Sequence, residues 1–127
     1  PNGIGGVETA FPLLLNQWIQ RDLPLPRLVD LMATRPAQIF GLAPRKGDLQ
    51  PGADADLVIV DPGRRKGVEA RHLLTRADWS AYEGMEAIFP EQVWRRGTLM
   101  VREGKVVNDT PGRFLPATLP DRKVLTG

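Results

Sequence analysis

Residues of the types that carry out hydrolysis or bind metals do not form a recognisable group in this sequence. Among its 127 residues there is one histidine, His72, and no cysteine. A chain without cysteine has neither a thiolate zinc site nor a cysteine nucleophile. Its carboxylates do not stand beside other metal-ligating residues, whereas metal sites need several nitrogen or oxygen ligands that converge. The sequence therefore predicts no catalytic residue and no metal ligand in this segment.

The acidic residues and the histidine favour structural roles. Asp54 and Asp56 lead into an apolar run, where residues two apart share one face of a strand and their carboxylates suit turn hydrogen bonds. Glu8 is predicted in the first turn of a helix, where a negative charge suits the helix dipole, so capping or ion pairing is expected of it. His72 lies in a polar segment and is expected at the surface or in a turn. Packing is also favoured for the scattered tryptophans, Trp18, Trp79 and Trp94.

Composition indicates a globular protein and argues against two classes of partner. The chain is 42% hydrophobic and 25% charged, with a formal charge of +2, as in ordinary globular domains. The basic clusters 64–66 and 95–96 lack interleaved aromatic residues, which argues against nucleic-acid binding. The longest apolar run, 11–15, is far shorter than the roughly 20 residues that span a bilayer, so we expect no membrane association and take the cytoplasm as the default location. Because the first residue is Pro1, truncation of a longer polypeptide is expected.

The first third of the chain shows helical periodicity. Apolar residues recur at three- and four-residue steps from Gly6 to Gln20, which predicts a helix with Pro12 near its first turn. A second helix is predicted over residues 26–33. A third is predicted over residues 34–40, with Thr34 as its N-cap and Gly41 ending it in a left-handed turn.

The rest of the chain changes to strand patterns. Residues 57–60 form a β-branched apolar run, predicted to be a strand covered on both faces. Short strands are predicted over residues 92–94, 99–102 and 105–107. They are separated by tight turns at Arg96-Gly97 and Glu103-Gly104, where glycine supplies positive φ. Residues 108–127 contain three prolines and little periodicity, which predicts an extended tail.

Several short sequences, taken together and in this order, resemble the end of the amidohydrolase superfamily. They are Pro1-Asn2-Gly3-Ile4, Gly6-Val7-Glu8-Thr9, Pro12-Leu13-Leu14, Ala33-Thr34-Arg35-Pro36-Ala37-Gln38-Ile39-Phe40-Gly41-Leu42, Arg45-Lys46-Gly47 and Gly52-Ala53-Asp54-Ala55-Asp56-Leu57-Val58-Ile59. Later sequences look like dihydropyrimidinases and hydantoinases rather than dihydroorotases: Tyr82-Glu83-Gly84-Met85-Glu86, Arg96-Gly97, Glu103-Gly104-Lys105 and Gly112-Arg113-Phe114-Leu115-Pro116. Two positions depart from the pattern, since Gly5 stands where relatives usually have proline and Ala10 where many have arginine. These departures bear on the substrate, and allantoinases are close relatives.

The resemblance implies a parent of the α/β class, a TIM (β/α)8 barrel with a small β-sandwich, to which this segment contributes helices followed by β-strands. Residues 1–42 would be the last barrel loop and its closing helices. Residues 43–107 would be the carboxy-terminal part of the sandwich, and residues 108–127 an extended tail. Active sites of such barrels lie at the carboxyl ends of their strands.

The resemblance also implies a reaction: opening of hydantoin or dihydropyrimidine rings by metal-activated hydroxide. The family binds binuclear zinc, or a similar divalent metal, through a His-x-His pair, a carboxylated lysine, two further histidines and an aspartate. None of these motifs occurs here, so the parent is expected to bind the metals and the isolated segment to be inactive. One position is carried over, Asn2, whose main chain in these enzymes hydrogen-bonds the amide of the substrate ring; an ordinary Asn-Gly turn is the other reading.

Alternative functions and the expected partners follow from the same resemblance. The alternatives are an allantoinase, a dihydroorotase-like hydrolase or a non-catalytic scaffold homologue. Expected partners are the remainder of the same enzyme chain, a small cyclic amide substrate and further copies in a dimer or tetramer, with the tail reaching a neighbouring subunit.

Overall fold

A computed structural model describes residues 3–118, and helices precede strands in it. The helical part contains α1 (Ala10–Gln20), α2 (Leu25–Val29), a π-helical turn (Asp30–Thr34) and α3 (Arg35–Ile39). The strands are β1 (Leu57–Ile59), β2 (Lys66–Gly67), β3 (Glu86–Ala87), β4 (Gln92–Arg95), β5 (Thr98–Arg102) and β6 (Lys105–Val106), with a 3-10 turn at Ala70–His72. This order agrees with the helices-then-strands prediction.

Helix α1 is shorter than the periodicity predicts. A turn over residues 7–9 precedes it, and Pro12 occupies its first turn, where a missing amide hydrogen is harmless. Leu13 and Leu15 are buried, whereas Val7 and Leu14, both on the predicted apolar side, are exposed. The face that α1 buries in the described chain is therefore rotated from the predicted one.

The predicted break between the second and third helices does not occur. The backbone at Thr34 is helical, with φ −66° and ψ −53°, and α2 continues through the π-helical turn into α3. The Thr34 hydroxyl donates to the Gly47 carbonyl at 2.9 Å and caps nothing. Pro36 favoured the prediction of a new helix start, but the wider π-helical turn before it gives the ring room against the preceding carbonyls.

Glycine 41 ends this helix as predicted. Its φ is +65°, the left-handed value that glycine adopts without strain. The next amide, of Leu42, donates back to the Ala37 carbonyl at 2.7 Å. The chain then leaves the helix for the loop that leads to β1.

The main sheet is antiparallel, in the order β1-β4-β5-β6. Arg96 and Gly97 both have positive φ, as do Glu103 and Gly104, so both turns have the backbone of a tight two-residue hairpin. These two hairpins confirm the prediction for residues 92–107. The small β2–β3 sheet was not predicted, because strands of two residues leave no periodic pattern.

Strand β1 is not covered on both faces within residues 3–118, so that prediction is wrong for the described chain. Val58 is 51% exposed and Ile59 42% exposed, although Val60 just beyond contacts the core. The strand pairs only with β4 among the described residues and forms an edge of the sheet. A continuous apolar run is typical of strands that other elements cover on both faces, and the described residues supply no such cover for β1.

The core joins α1 to the strands in two small clusters. One consists of Leu13, Val68 and Ala87, the other of Leu15, Leu28 and Ile88. Between them, the Ile88 amide donates to the Pro12 carbonyl at 3.1 Å. None of the helices described in residues 3–118 is long and apolar enough to cross a membrane.

Replacing Ile88, which is fully buried, tests this core. Ile88→Ala leaves a cavity between α1 and α2 and should lower the free energy of unfolding by about 3 kcal/mol. The matched variant Val7→Ala changes a fully exposed side chain and should alter it by less than about 0.5 kcal/mol. Urea unfolding of both variants measures the difference, and equal effects would contradict the core described here.

Candidate functional site

Asn2, the substrate-binding residue suggested by the sequence, lies outside the described residues, so its role stays a prediction. The loop that follows it is described from Gly3. The Gly6 carbonyl accepts hydrogen bonds from the amides of Thr9 at 3.2 Å and Ala10 at 2.8 Å. This turn leads directly into α1 and fixes the direction in which the loop leaves the helix.

Glu8 fastens the same loop to a distant segment. Its Oε2 accepts a hydrogen bond from the Leu74 amide at 2.8 Å. The predicted place of Glu8 in the first helical turn is wrong, because α1 begins two residues later at Ala10. Its role is structural, as expected, but its partner is a backbone amide 66 residues along the chain.

Thr9 lies beneath this loop with its hydroxyl buried. The residue is 1% exposed, and its Oγ1 has no hydrogen-bond partner among the described residues. A cavity of about 50 Å³ lies beside it, between the loop at residues 4–9 and the segment 73–81. That volume is too small for a ring substrate and suits ordered water.

Asp54 and Asp56 form part of an ion-pair cluster beside β1. Lys46 Nζ lies 2.9 Å from Asp54 Oδ2 and also contacts Asp56, and Arg45 Nε lies 3.0 Å from Asp54 Oδ2. Asp56 Oδ1 accepts the Arg96 amide at 2.8 Å. The two carboxylates therefore stabilise the entry to the sheet, which agrees with the structural roles expected of them.

The charges of this cluster shift the pKa values of its members. The hydrogen bond from Lys46, followed by that from Arg45, holds the pKa of Asp54 below its ordinary value of 3.8. Partial burial acts to lower the pKa of Lys46, but the hydrogen bonds to Asp56 and Asp54 outweigh it and raise that pKa above 10.5. Both groups are thus held in their charged forms at neutral pH, which suits a structural cluster and not proton transfer.

His72 lies at the rim of a larger groove, as an exposed turn residue. Its Nδ1 is 3.8 Å from Glu69 Oε2 and its side chain is 65% exposed. The groove has a volume of about 340 Å³ and is bordered by the turn at residues 103–105 and the segments 64–69 and 89–91.

An ion pair in this groove escaped the sequence analysis. Arg64 pairs with Glu91 and lies 3.6 Å from Glu103, and its hydrogen bond to Glu91 raises the pKa of its guanidinium. The basic run 64–66 was its only sequence signal, since the acidic partners lie 27 and more residues away. Arg64 is already neutralised by carboxylates, so the groove is not an anion site built around it.

The described residues do not fit a two-metal centre. Among residues 3–118, no three His, Cys, Asp or Glu side chains lie where they could together hold a metal ion. His72 reaches only Glu69, and Asp54 and Asp56 are occupied by basic side chains. The side chains described in residues 3–118 thus form no metal ligand set of their own.

A model of the amidohydrolase family matches residues 8–101, well over half of the chain. The chain belongs to the amidohydrolase family. Two relatives of different names resemble it. The dihydroorotase of Methanosarcina acetivorans is 41% identical over 89% of this chain and 24% of its own length. The D-hydantoinase of Ralstonia pickettii is 38% identical over 91% of this chain and 26% of its own length.

The fold comparison gives the same assignment. A solved D-hydantoinase superimposes on 91% of this chain and 26% of its own, with a TM-score of 0.84 and 38% sequence identity. The resemblance seen in the sequence to the hydantoinase type is thereby confirmed. Its preference over dihydroorotases is not, because the Methanosarcina acetivorans dihydroorotase is as similar to this chain. The chain spans about a quarter of the length of the relatives it matches.

The pKa shift of Asp54 makes stability depend on pH. Because its folded pKa lies below 3.8, the ion pair stabilises the fold above that pH and the contribution is lost as the pH falls through the folded value. Asp54→Asn should therefore destabilise the chain at neutral pH and make little difference near pH 2. Urea midpoints across this range measure the effect. Asp109→Asn, which removes a carboxylate with no ion pair among the described residues, should show no such convergence.

Proposed function

We propose that the protein to which this chain belongs opens cyclic amides, with hydantoin or dihydropyrimidine rings as its substrates. The observation that carries the proposal is the D-hydantoinase likeness, in which a TM-score of 0.84 accompanies 38% identity over 91% of the chain. Fold and sequence similarity agree across both the helices and the strands. Fold likeness alone is a weaker argument for function.

The chemistry proposed is hydrolysis of a ring amide. A water oxygen bonds to the carbonyl carbon, the ring C–N bond breaks, and the departing nitrogen takes a proton, which leaves a carboxylate and an open chain. An unactivated amide reacts slowly with water at neutral pH, and divalent metals are the usual source of hydroxide and Lewis acid. We propose binuclear zinc, or a similar metal, with a carboxylated lysine in the parent enzyme, all held by residues outside 3–118.

The role proposed for this chain is to support the barrel and to orient the substrate ring. Residues 1–42 would close a (β/α)8 barrel, residues 43–107 would belong to a β-sandwich, and residues 108–127 would form the tail. The main chain of Asn2 would hydrogen-bond the amide of the ring and fix its orientation. Support for this comes from the loop after it, which Glu8 and the first turn of α1 hold at both sides.

A dihydroorotase is the second candidate, because the Methanosarcina acetivorans enzyme is 41% identical. The ring of its substrate, dihydroorotate, would carry a carboxylate, and a carboxylate needs a cationic partner in the site. The described loop and α1 contain no lysine or arginine before Arg21, while Glu8 adds a negative charge. That charge pattern favours an uncharged ring. The remaining alternatives are an allantoinase and a scaffold protein without activity. We also propose that the parent enzyme assembles into a dimer or tetramer in the cytoplasm.

Assays of the longest natural polypeptide that contains this sequence test the function. We expect hydrolysis of hydantoin and dihydrouracil, with kcat/KM for dihydroorotate and allantoin at least about tenfold lower, because an unpaired or misplaced polar group costs more than 1.4 kcal/mol in the site. Metal content measured on the same sample should be about two divalent ions per chain. The 127-residue chain alone serves as the control and should be inactive. A preference for dihydroorotate would favour the second candidate.

A further inference from the structure

The tail returns to the helical part of the chain at Gly41. Thr118, 77 residues later, donates its hydroxyl to the Gly41 carbonyl at 2.9 Å. Its amide donates to the same oxygen at 2.8 Å. Gly41 itself is buried. One carbonyl at the end of α3 therefore accepts both hydrogen bonds of the returning tail.

Only a residue without a side chain permits this approach. A Cβ atom on Gly41 would lie 1.7 Å from the Thr118 carbonyl oxygen and 2.9 Å from its carbonyl carbon. Both contacts are with backbone, which cannot turn aside as a flexible side chain can. This requirement is separate from the φ of +65°, which by itself would explain a glycine at a helix end.

A second fastening holds the start of the tail to the main sheet. The guanidinium of Arg95, at the end of β4, donates to the Thr110 carbonyl and to the Pro111 carbonyl, the latter at 3.2 Å. Before this point, Asn108 Oδ1 accepts the Thr110 amide at 2.8 Å and turns the chain. The segment between the fastenings has no helix or strand of its own.

We propose that residues 108–118 form a strap that joins the helical part to the four-stranded sheet, with Gly41 as its docking point. The strap closes over the carboxyl end of α3 and donates to the carbonyl of Gly41, two residues beyond the end of the helix. Its two fastenings lie on parts of the chain that are distant in sequence, so the tail couples their positions. The proposal does not depend on which ring, if any, the parent enzyme opens.

The strap is tested in the longest natural polypeptide that contains this sequence. Trypsin cleavage after Arg113, between the fastenings, reports the fraction of molecules with an open strap. Gly41→Ala should raise that cleavage rate about tenfold or more, since it removes two hydrogen bonds of roughly 1 kcal/mol each. Hydrogen exchange at the Thr118 amide should be slow in the parent sequence and fast in the variant.

Gly52→Ala is the matched control for backbone strain. Its φ of +92° lies further from the left-handed minimum than that of Gly41, so alanine is at least as strained there. No atom lies within 4 Å of the added Cβ. It should leave both the cleavage rate and the Thr118 exchange unchanged, which separates the close contact from the effect of φ.

Two milder variants decide the matter if Gly41→Ala does not fold. Thr118→Val keeps the amide and removes the hydroxyl, and Arg95→Met removes the second fastening. Thr118→Val loses one hydrogen bond and should raise cleavage after Arg113 several-fold. Arg95→Met loses two and should raise it about tenfold or more. The circular dichroism spectrum should be unchanged in both. Fast exchange at Thr118 in the parent sequence, equal effects of the two glycine variants, or no response to either milder variant would overturn the strap.

Discussion

The contact between α1 and β3 is the constraint on which the arrangement of this chain depends. Its centre is Asn16, a fully buried polar side chain. The Asn16 amide donates to the Glu86 carbonyl at 2.9 Å, and its Oδ1 accepts from Arg65 Nε at 3.0 Å. A buried amide needs partners on both its donor and its acceptor side, and only one relative position of helix and strands supplies them. The hydrophobic clusters on either side add cohesion, while Asn16 sets the register.

This contact also explains how a short chain can hold a loop in place. The loop at residues 3–9 leads into α1, and Glu8 reaches Leu74 on the strand side of the contact. Loop, helix and strands are therefore joined by hydrogen bonds and packing.

Local patterns in the sequence were enough for some of the fold. The two tight turns were predictable because Arg96-Gly97 and Glu103-Gly104 carry their own backbone signal, and Gly41 was predictable as a helix end. The continuation of the helix through Thr34 was not predictable, because the π-helical turn that accommodates Pro36 depends on the packing of the Gly47 loop against it. The exposure of β1 was also missed, since an apolar run does not state what covers it.

The candidate site was predictable only in its broadest terms. Residue types indicated that Asp54, Asp56 and His72 were structural, and their surroundings agree. Their partners could not be read from the sequence, because Asp56 meets the Arg96 amide 40 residues away and Glu8 meets Leu74. The family was recognised from short motifs in the right order and not from catalytic or metal-binding residues, because the described residues contain no metal-binding cluster.

The open edge of β1 has a practical consequence for anyone producing this chain alone. The strand offers exposed Val58 and Ile59 and an unpaired backbone edge in the described residues, the arrangement that recruits strands from other molecules into aggregates. Asp56 and Asp61 flank the run, and such charges act as gatekeepers against intermolecular pairing. Asp56, however, is held by Lys46 and the Arg96 amide. High salt screens the charges of Asp56 and Asp61, which would remove part of this protection and promote precipitation.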